Sequence, residues 1–338
     1  MNRRLTWGLI FALALAAALL PLPPPLVEHW YSRGVFPPLQ RVLTSLSNLV
    51  PLSLFDVLWI GGVAATAVAA RRRVVADGWG RGLAALAWQL TRAAAVVYLL
   101  FLLAWGLNYR RVPIFEKVAF DPGRITADAH LALGDWAVAE LNARYAAAHA
   151  TPVRIERLQP AFDSALRALG GAPIVHGRPK PTLLGWYFHK ASIAGMTDPF
   201  LLETMLAPDL LDVERPFVIA HEWAHLAGYA DESEANFLAY LACRRGDPLA
   251  RYSAALVILG YAPGRHGLRD LTIGPRIDLM AIRLRYQQTS GTLRFAAREG
   301  YDKYLKANRV ERGVESYDAV IQLILGTELD PAGNPRLR

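Results

Sequence analysis

The chain has 338 residues, of which 53% are hydrophobic, a share that is high for a soluble protein and indicates membrane segments. Its formal net charge of +8 lies entirely in residues 1–111, which hold 11 arginines against 3 acidic residues, because the 26 basic and 26 acidic side chains of residues 112–338 cancel. Positive charge beside apolar segments predicts membrane topology and excludes nucleic acid as a partner. A single cysteine, Cys243, excludes a disulfide framework and a cysteine-rich zinc site.

Apolar runs dominate the N-terminal part, at about 5–22, 52–70 and 90–108. A membrane-spanning helix needs about 17–25 mostly apolar residues, and each run supplies a segment of that kind. We therefore expect residues 1–111 to form a membrane region with three transmembrane helices. Residues 112–338 are expected to form a separate globular domain.

Arginines orient these helices. Positively charged residues favour the cytoplasmic side, and they precede the first run and cluster between the second and third, at Arg3, Arg4, Arg71, Arg72, Arg73, Arg81 and Arg92. This distribution predicts an internal N-terminus, three crossings and a C-terminal domain on the outer side. Two alternatives stay open: the first run could be a cleaved signal peptide, or the topology could be reversed.

The segment between the first two runs is rich in proline. Residues 21–50 contain prolines at 21, 23, 24, 25, 37 and 38. Because proline interrupts regular structure, we predict a loop over the outer surface, with a short helix at about 39–49.

After residue 112 the apolar spacing becomes that of a mainly α-helical domain with a small sheet. Proline suits the first helical turn, so Pro216 is expected to begin a helix. The full set of predicted elements is helices at 125–149, 158–169, from Pro216, from near Glu232 and across 250–326, with strands at 182–188 and 192–196.

The helix from Pro216 carries the motif His-Glu-x-x-His at His221, Glu222 and His225. On a helix, His221 and His225 lie one turn apart on the same side, so both imidazoles can reach one zinc ion. Glu222 is next to the first histidine and can act as general base toward a zinc-bound water. This spacing predicts a metal-dependent hydrolase.

A catalytic zinc site also needs a third protein ligand, and three carboxylates follow the motif. Asp231 and Glu234 fit the N-cap and third position of a following helix, which gives both a structural role. Glu232 shares a helix face with small residues and with Asn236, which could hydrogen-bond a ligand. Helix geometry therefore favours Glu232, with Glu234 and Asp231 as alternatives.

The run from His221 to Cys243, HEWAHLAGYADESEANFLAYLAC, resembles the bacterial membrane proteins of the domain of unknown function 3810 family. The stretch from Gly195 to Glu203, with Pro199-Phe200 inside it, fits the family pattern, as do the N-terminal membrane helices. The resemblance implies the bacterial inner membrane as location and a multi-pass topology. It also implies a zincin-like α+β metallopeptidase domain, because the family is similar to gluzincins, in which the third ligand is a glutamate of a later helix. That similarity supports Glu232.

Other side chains carry weaker expectations. The strand at 192–196 could bind an extended peptide by strand addition, or could be an ordinary core strand. Glu203 is expected in a surface salt bridge, with orientation of a site residue as the alternative. Tyr252 could stabilise an oxyanion or simply pack in the core, and Cys243 is expected to be buried.

Two functions compete. The first is a membrane-anchored zinc peptidase, with the lipid bilayer and a peptide or protein substrate as partners. The second is a non-catalytic membrane protein whose zinc-binding domain recognises a partner or the cell envelope. The presence of Glu222 favours the first, since a structural zinc site needs no general base.

Overall fold

The structure is a computed structural model that describes residues 3–310 and 319–338. It confirms a mainly helical chain with one small sheet. The N-terminal helices are α1 (Arg3–Leu19), α2 (Pro24–Leu26), a π-helical segment (Val27–Val35), α3 (Phe36–Asn48) and α4 (Leu54–Ala104). The later helices are α5 (Ile114–Lys117), α6 (Ala127–His149), α7 (Ile155–Ala168), α8 (Gly185–Ala191), α9 (Arg215–Leu226), α10 (Glu232–Arg245), α11 (Pro248–Tyr261), α12 (Ile273–Gln287), α13 (Gly291–Ala307) and α14 (Ala319–Gly326).

The proline-rich segment 21–50 is helical, so the prediction of a surface loop with a short helix is wrong. Pro24, Pro25, Pro37 and Pro38 lie in the first turns of α2 and α3, where a missing backbone N–H costs little. The polar face of α3 is buried against the globular domain. Gln40 bonds to the backbone of Val175, and Thr44 donates to the carbonyl oxygen of Leu202 at 3.0 Å.

The second and third apolar runs belong to α4, and the residues between them are helical as well, which the sequence did not predict. The helix is bent at Gly78, whose φ of 76° and ψ of 169° are accessible almost only to glycine. A Cβ on Gly82 would lie 2.7 Å from the carbonyl oxygen of Arg73, whereas a straight helix separates such residues by about 13 Å. The chain therefore turns back on itself at Gly78.

Both ends of this helical hairpin meet the globular domain. The backbone N–H groups of Leu54 and Phe55 donate to the carboxylate of Glu203, and the Phe101 ring lies 6.4 Å from that of Phe200. Helix α1 packs along the second half of α4 through Phe11 and Trp88. The apolar outer faces of α1 and α4 are exposed.

Within the described residues, α4 is the helix that is long and apolar enough to cross a membrane. Only 17% of its most apolar window is buried, which is unlike the core helix of a soluble protein. A second candidate exists if Arg4–Leu19 and Pro24–Asn48, which meet at 116°, are taken together as one broken span. These assignments rest on length and composition alone.

The globular core is built around α10. All its residues from Glu232 to Cys243 are buried, and a helix buried on every side must be covered all round. Helices α7, α9, α11 and α14 provide this cover, and α6 packs against α11. The predicted helices at 125–149 and 158–169, and those starting at Pro216 and near Glu232, correspond to α6, α7, α9 and α10.

The sheet has the order β1–β3–β2, with β1 (Pro179–Lys180) parallel and β2 (Gly195–Thr197) antiparallel to β3 (Thr204–Leu206). The predicted strand at 192–196 overlaps β2, but Ser192 has a left-handed φ of 61° and ends α8 instead. The predicted strand at 182–188 is wrong. The Thr182 hydroxyl accepts from the Leu184 N–H, and such local bonds start a turn and helix rather than a strand.

Candidate metal centre

Helix α9 carries the His-Glu-x-x-His motif in its last two turns. Pro216 lies in its first turn, as predicted, and Trp223 is fully buried on its inner face. The helix ends at Leu226. Gly228, two residues further, has a left-handed φ of 81°, and the Tyr229 N–H donates back to the Ala224 carbonyl oxygen at 3.0 Å. This C-cap turns the chain so that α10 starts beside the motif.

The N-terminus of α10 places its three carboxylates differently. Asp231 is the N-cap and accepts from the backbone N–H groups of Ser233 and Glu234. Glu234 accepts from the N–H of Ile114 at 2.5 Å, and burial raises the pKa of its carboxyl to about 7. Glu232 points toward the motif. Among the described residues, His221, His225 and Glu232 form the group whose ligand atoms lie within 4.8 Å of one another.

The distances within this group fit a single ion. Nε2 of His221 lies 3.1 Å from Nε2 of His225 and 3.1 Å from Oε2 of Glu232, and His225 Nε2 lies 3.6 Å from the same oxygen. Ligands about 2.1 Å from a tetrahedral zinc ion are about 3.4 Å apart. The three atoms therefore occupy corners of such a tetrahedron without rearrangement.

Partners of the outer ring nitrogens fix which histidine atoms face the centre. His221 Nδ1 lies 2.8 Å from Oδ1 of Asn236, and His225 Nδ1 lies 2.7 Å from the carbonyl oxygen of Tyr229. Because both partners are acceptors, each ring carries a proton on Nδ1, which leaves Nε2 with a lone pair. With these tautomers, Glu232 Oε2 is buried without a hydrogen-bond donor among the described residues.

Three acceptor atoms thus converge on one point, and the group needs a positive charge. Burial opposes charge on His225, but the Glu232 carboxylate outweighs it and raises the pKa of His225 to about 9. Burial likewise opposes the charge of Glu232, yet the two imidazoles hold its pKa well below the usual range. Without an ion, a proton on an imidazole supplies this positive charge. A divalent cation would instead accept electron pairs from all three atoms together.

Glu222 lies beside this group and under the edge of the sheet. Its carboxylate accepts from the Thr197 hydroxyl of β2 at 2.7 Å, and it is 4% exposed. Burial raises the pKa of Glu222, although the two histidines act in the opposite direction. Gly195 of β2 is in close contact with it, since a Cβ there would lie 2.6 Å from Glu222 Oε1.

The model of a protein family, described as "Protein of unknown function (DUF3810)", matches residues 31–325 of the chain. The chain belongs to the DUF3810 family. The match covers α3, the α4 hairpin and the whole candidate centre, so these are parts of one family unit. No curated protein and no solved structure matches this chain.

Two aromatic residues of this DUF3810 protein complete the surroundings of the centre, and sequence reasoning missed both. Trp105, the residue after α4, donates its indole N–H to the carbonyl oxygen of His225 at 2.9 Å. Tyr301 of α13 donates its hydroxyl to Oε1 of Glu232. They lie 120 and 69 residues from their partners, and no local pattern marks such contacts.

The remaining candidates lie outside the centre. Glu203 is buried and paired with Lys180, so the expected surface salt bridge is wrong. The Tyr252 hydroxyl donates to Asp278 at 2.6 Å in the core and offers nothing to an oxyanion. Cys243 is buried, as expected.

Proposed function

We propose that this DUF3810 protein is a membrane-anchored, zinc-dependent hydrolase that cleaves peptide bonds, with Glu222 as general base. The observation that carries the proposal is the convergence of His221 Nε2, His225 Nε2 and Glu232 Oε2 at tetrahedral spacing. Two imidazoles and one carboxylate form a ligand set used by catalytic zinc sites, which keep a fourth position open. A bound zinc ion would lower the pKa of water toward about 7 and polarise a substrate carbonyl.

The residues of the chain would supply the remaining chemistry. Glu222 would remove a proton from the attacking water, and burial raises the pKa of its carboxyl, which favours uptake of that proton. The protonated carboxyl would then pass the proton to the leaving amine. Thr197 holds the carboxylate in place.

A peptide is the substrate that the sheet favours. Strand β2 pairs with β3 along one edge, and its other edge has no partner strand in the described sheet. This edge belongs to the same strand that contacts Glu222. An extended peptide can add to a free strand edge through main-chain hydrogen bonds.

Membrane anchoring is supported by the exposed apolar surfaces of α1 and of the α4 hairpin. With α1 and the two halves of α4 as crossings, the turn near Gly78 lies among arginines 71–73 and 81, which favours the cytoplasmic side for the turn. The catalytic domain then lies on the outer side of the bacterial cytoplasmic membrane. Since Trp105 links the end of α4 to His225, the centre would lie close to the bilayer surface.

The test compares three variants of the detergent-purified protein, using zinc analysis and hydrolysis of fluorescence-quenched casein. Glu222→Gln should retain zinc and lose about 100-fold or more in hydrolysis rate, because the general base is gone. His221→Ala should lose both zinc and activity, and His266→Ala, which removes an exposed histidine, should lose neither. Undiminished hydrolysis by Glu222→Gln would refute the mechanism, whereas stoichiometric zinc without hydrolysis in the wild type would favour the non-catalytic function.

A further inference from the structure

Helix α13 lies beside the candidate centre, and hydrogen bonds to other helices hold both of its ends. At its N-terminal end, Ser290 N–H donates to the carbonyl oxygen of Lys190 in α8 at 2.9 Å. At the C-terminal end, Arg309 donates to the carbonyl oxygens of Ala18 and Leu20, at the end of α1, each at 3.1 Å. Leu305 is its buried residue, and most of the rest is half-buried or exposed.

From the middle of α13, Tyr301 reaches the ligand group. Its hydroxyl donates to Oε1 of Glu232, the oxygen that faces away from the histidines, while Oε2 faces His221 and His225. A carboxylate with one oxygen held by a donor cannot rotate freely about its terminal torsion, so the direction of the other oxygen is fixed. Glu232 itself is 2% exposed, and water is therefore a poor substitute for this donor.

Aromatic packing fixes Tyr301 in turn. Its ring stacks on that of Tyr304 at 5.9 Å with an interplanar angle of 21°. The Tyr304 ring then packs edge-on against Tyr109 at 6.0 Å and Phe101 at 6.2 Å. The hydroxyl is thus held by α13 and by the end of α4, not by Glu232 alone.

We infer that Tyr301 is a positioning residue of the metal centre, which holds Glu232 so that only Oε2 is presented to the ion. This inference rests on the proposed zinc site and extends it to α13. Asn236 has the corresponding role for His221, because it accepts from Nδ1 and orients the ring. Loss of such outer hydrogen bonds weakens metal binding about 10–100-fold in other metal sites.

The experiment measures zinc affinity of the full-length protein by competition with a chromophoric chelator. Tyr301→Phe should weaken zinc binding about 10–100-fold, in the range expected for Asn236→Ala. Tyr304→Phe is the matched control, since it removes a hydroxyl one turn along the same face that does not contact Glu232, and it should bind zinc within about twofold of wild type. Thermal unfolding of the zinc-free forms shows whether each variant is folded.

The outcomes separate this inference from the proposed function. If the wild type binds zinc and Tyr301→Phe binds it equally tightly, the positioning role is wrong even if activity falls, because a tyrosine that acts only on the substrate would not alter zinc affinity. Equal weakening in Tyr304→Phe would also overturn it, since the effect would then come from packing of α13. A wild type that binds no zinc would overturn the proposed function itself. As a second readout, the visible absorption of the Co²⁺-loaded protein should change in Tyr301→Phe, where Oε1 becomes free to bind.

Discussion

Lys180 and Glu203 form an ion pair that is buried where the α4 hairpin joins the globular domain. Their side chains are 3% and 0% exposed. Glu203 also accepts from the N–H groups of Leu54 and Phe55, so its charge faces the N-terminus of α4, where the helix dipole favours it. The pair connects the sheet to the first turn of the hairpin.

Removal of the lysine should destabilise this junction strongly. Lys180→Met leaves the Glu203 carboxylate buried without its counter-ion, which costs about 3–5 kcal/mol. The matched control is Lys303→Met, which breaks an exposed pair with Glu299 and should leave the unfolding midpoint almost unchanged, because solvent screens such pairs. Thermal unfolding in detergent measures both, and similar midpoints for the two variants would contradict the prediction.

A second buried charge cluster predicts how stability depends on pH. Burial opposes the charge of Glu28, but Arg111 and Lys117 outweigh it and lower the pKa of the carboxyl to about 2. Because the folded-state pKa lies below the unfolded value of 4.5, the stabilisation is present above pH 4.5 and is lost as the pH falls toward 2. At neutral pH it amounts to about 3 kcal/mol.

Glu28→Gln removes this contribution without changing the size of the side chain. The variant should unfold at a lower temperature than wild type at pH 7, and the gap should narrow as the pH falls below about 4.5. Other carboxyl groups titrate in both proteins, so the difference between the two curves isolates Glu28. A gap that stays constant down to pH 3 would show that Glu28 is not responsible.

At the scale of single residues, the sequence indicates which side chains share a face when they lie within a few residues of each other on one helix. His221 and His225 are one helical turn apart, and the face shared by Glu232 and Asn236 follows from helix periodicity. The structure brings these residues together. Tyr301, Trp105 and the burial of Glu203 depend on elements far apart in the chain, and local spacing contains no information on them.

At the scale of secondary structure, the main feature is the reversal of α4 between its two apolar halves, which Gly78 allows. Its φ of 76° with ψ of 169° is a conformation that residues with a Cβ avoid, although the space around it is open. Gly80 lies two residues further in equally open space, without a positive φ. An added methyl group meets no neighbour at either position, so a difference between substitutions at Gly78 and Gly80 reports the backbone conformation.

We expect Gly78→Ala to destabilise the hairpin by about 1–3 kcal/mol, which is the cost of forcing a non-glycine residue into this region. Gly80→Ala should be neutral or slightly stabilising, because alanine favours helix. The folded yield in detergent and the unfolding midpoint measure the effect. If the two substitutions behave alike, the turn does not depend on the conformation of Gly78.

Helices could be predicted from the sequence where the spacing of apolar residues and the capping residues indicate the same range. Helices α6, α7, α9 and α10 have both a periodic apolar face and recognisable ends. The proline content of segment 21–50 predicts a loop, yet four of its prolines lie in the first turns of α2 and α3, where helices tolerate proline. At 182–188, the Thr182 hydroxyl accepts from the Leu184 N–H and donates to Asp56, and these bonds override the local strand propensity.

For the whole molecule, the hairpin predicts that the turn at Gly78 and the globular domain lie on opposite sides of the membrane. In a Cys243→Ala background, Asp77→Cys should react with a membrane-impermeant maleimide only after the cells are permeabilised. His266→Cys should react in intact cells. Both side chains are exposed, so accessibility to solvent does not limit either reaction. Labelling of both in intact cells would mean that the hairpin does not cross, and the reverse pattern would place the domain in the cytoplasm.

Composition predicts an apolar N-terminal part and a globular part that meet at residue 111. Contacts across that boundary are not predicted by composition: residues 24–48 precede the hairpin in sequence, yet Gln40, Thr44 and Ser47 bond to Val175, Leu202 and Glu203. A proline-rich surface segment and a helix with one buried polar face have similar composition. Only tertiary contacts distinguish them.

The anchoring of α13 to the end of α1 bears on how the protein matures. Arg309, just after α13, donates to the carbonyl oxygens of Ala18 and Leu20, so the end of α1 holds the far end of the helix that carries Tyr301. Signal peptidase cleavage behind residue 20 would remove these acceptors and release α13 at that end. Under the proposed metal site, the end of α1 therefore helps to hold the helix whose tyrosine orients Glu232.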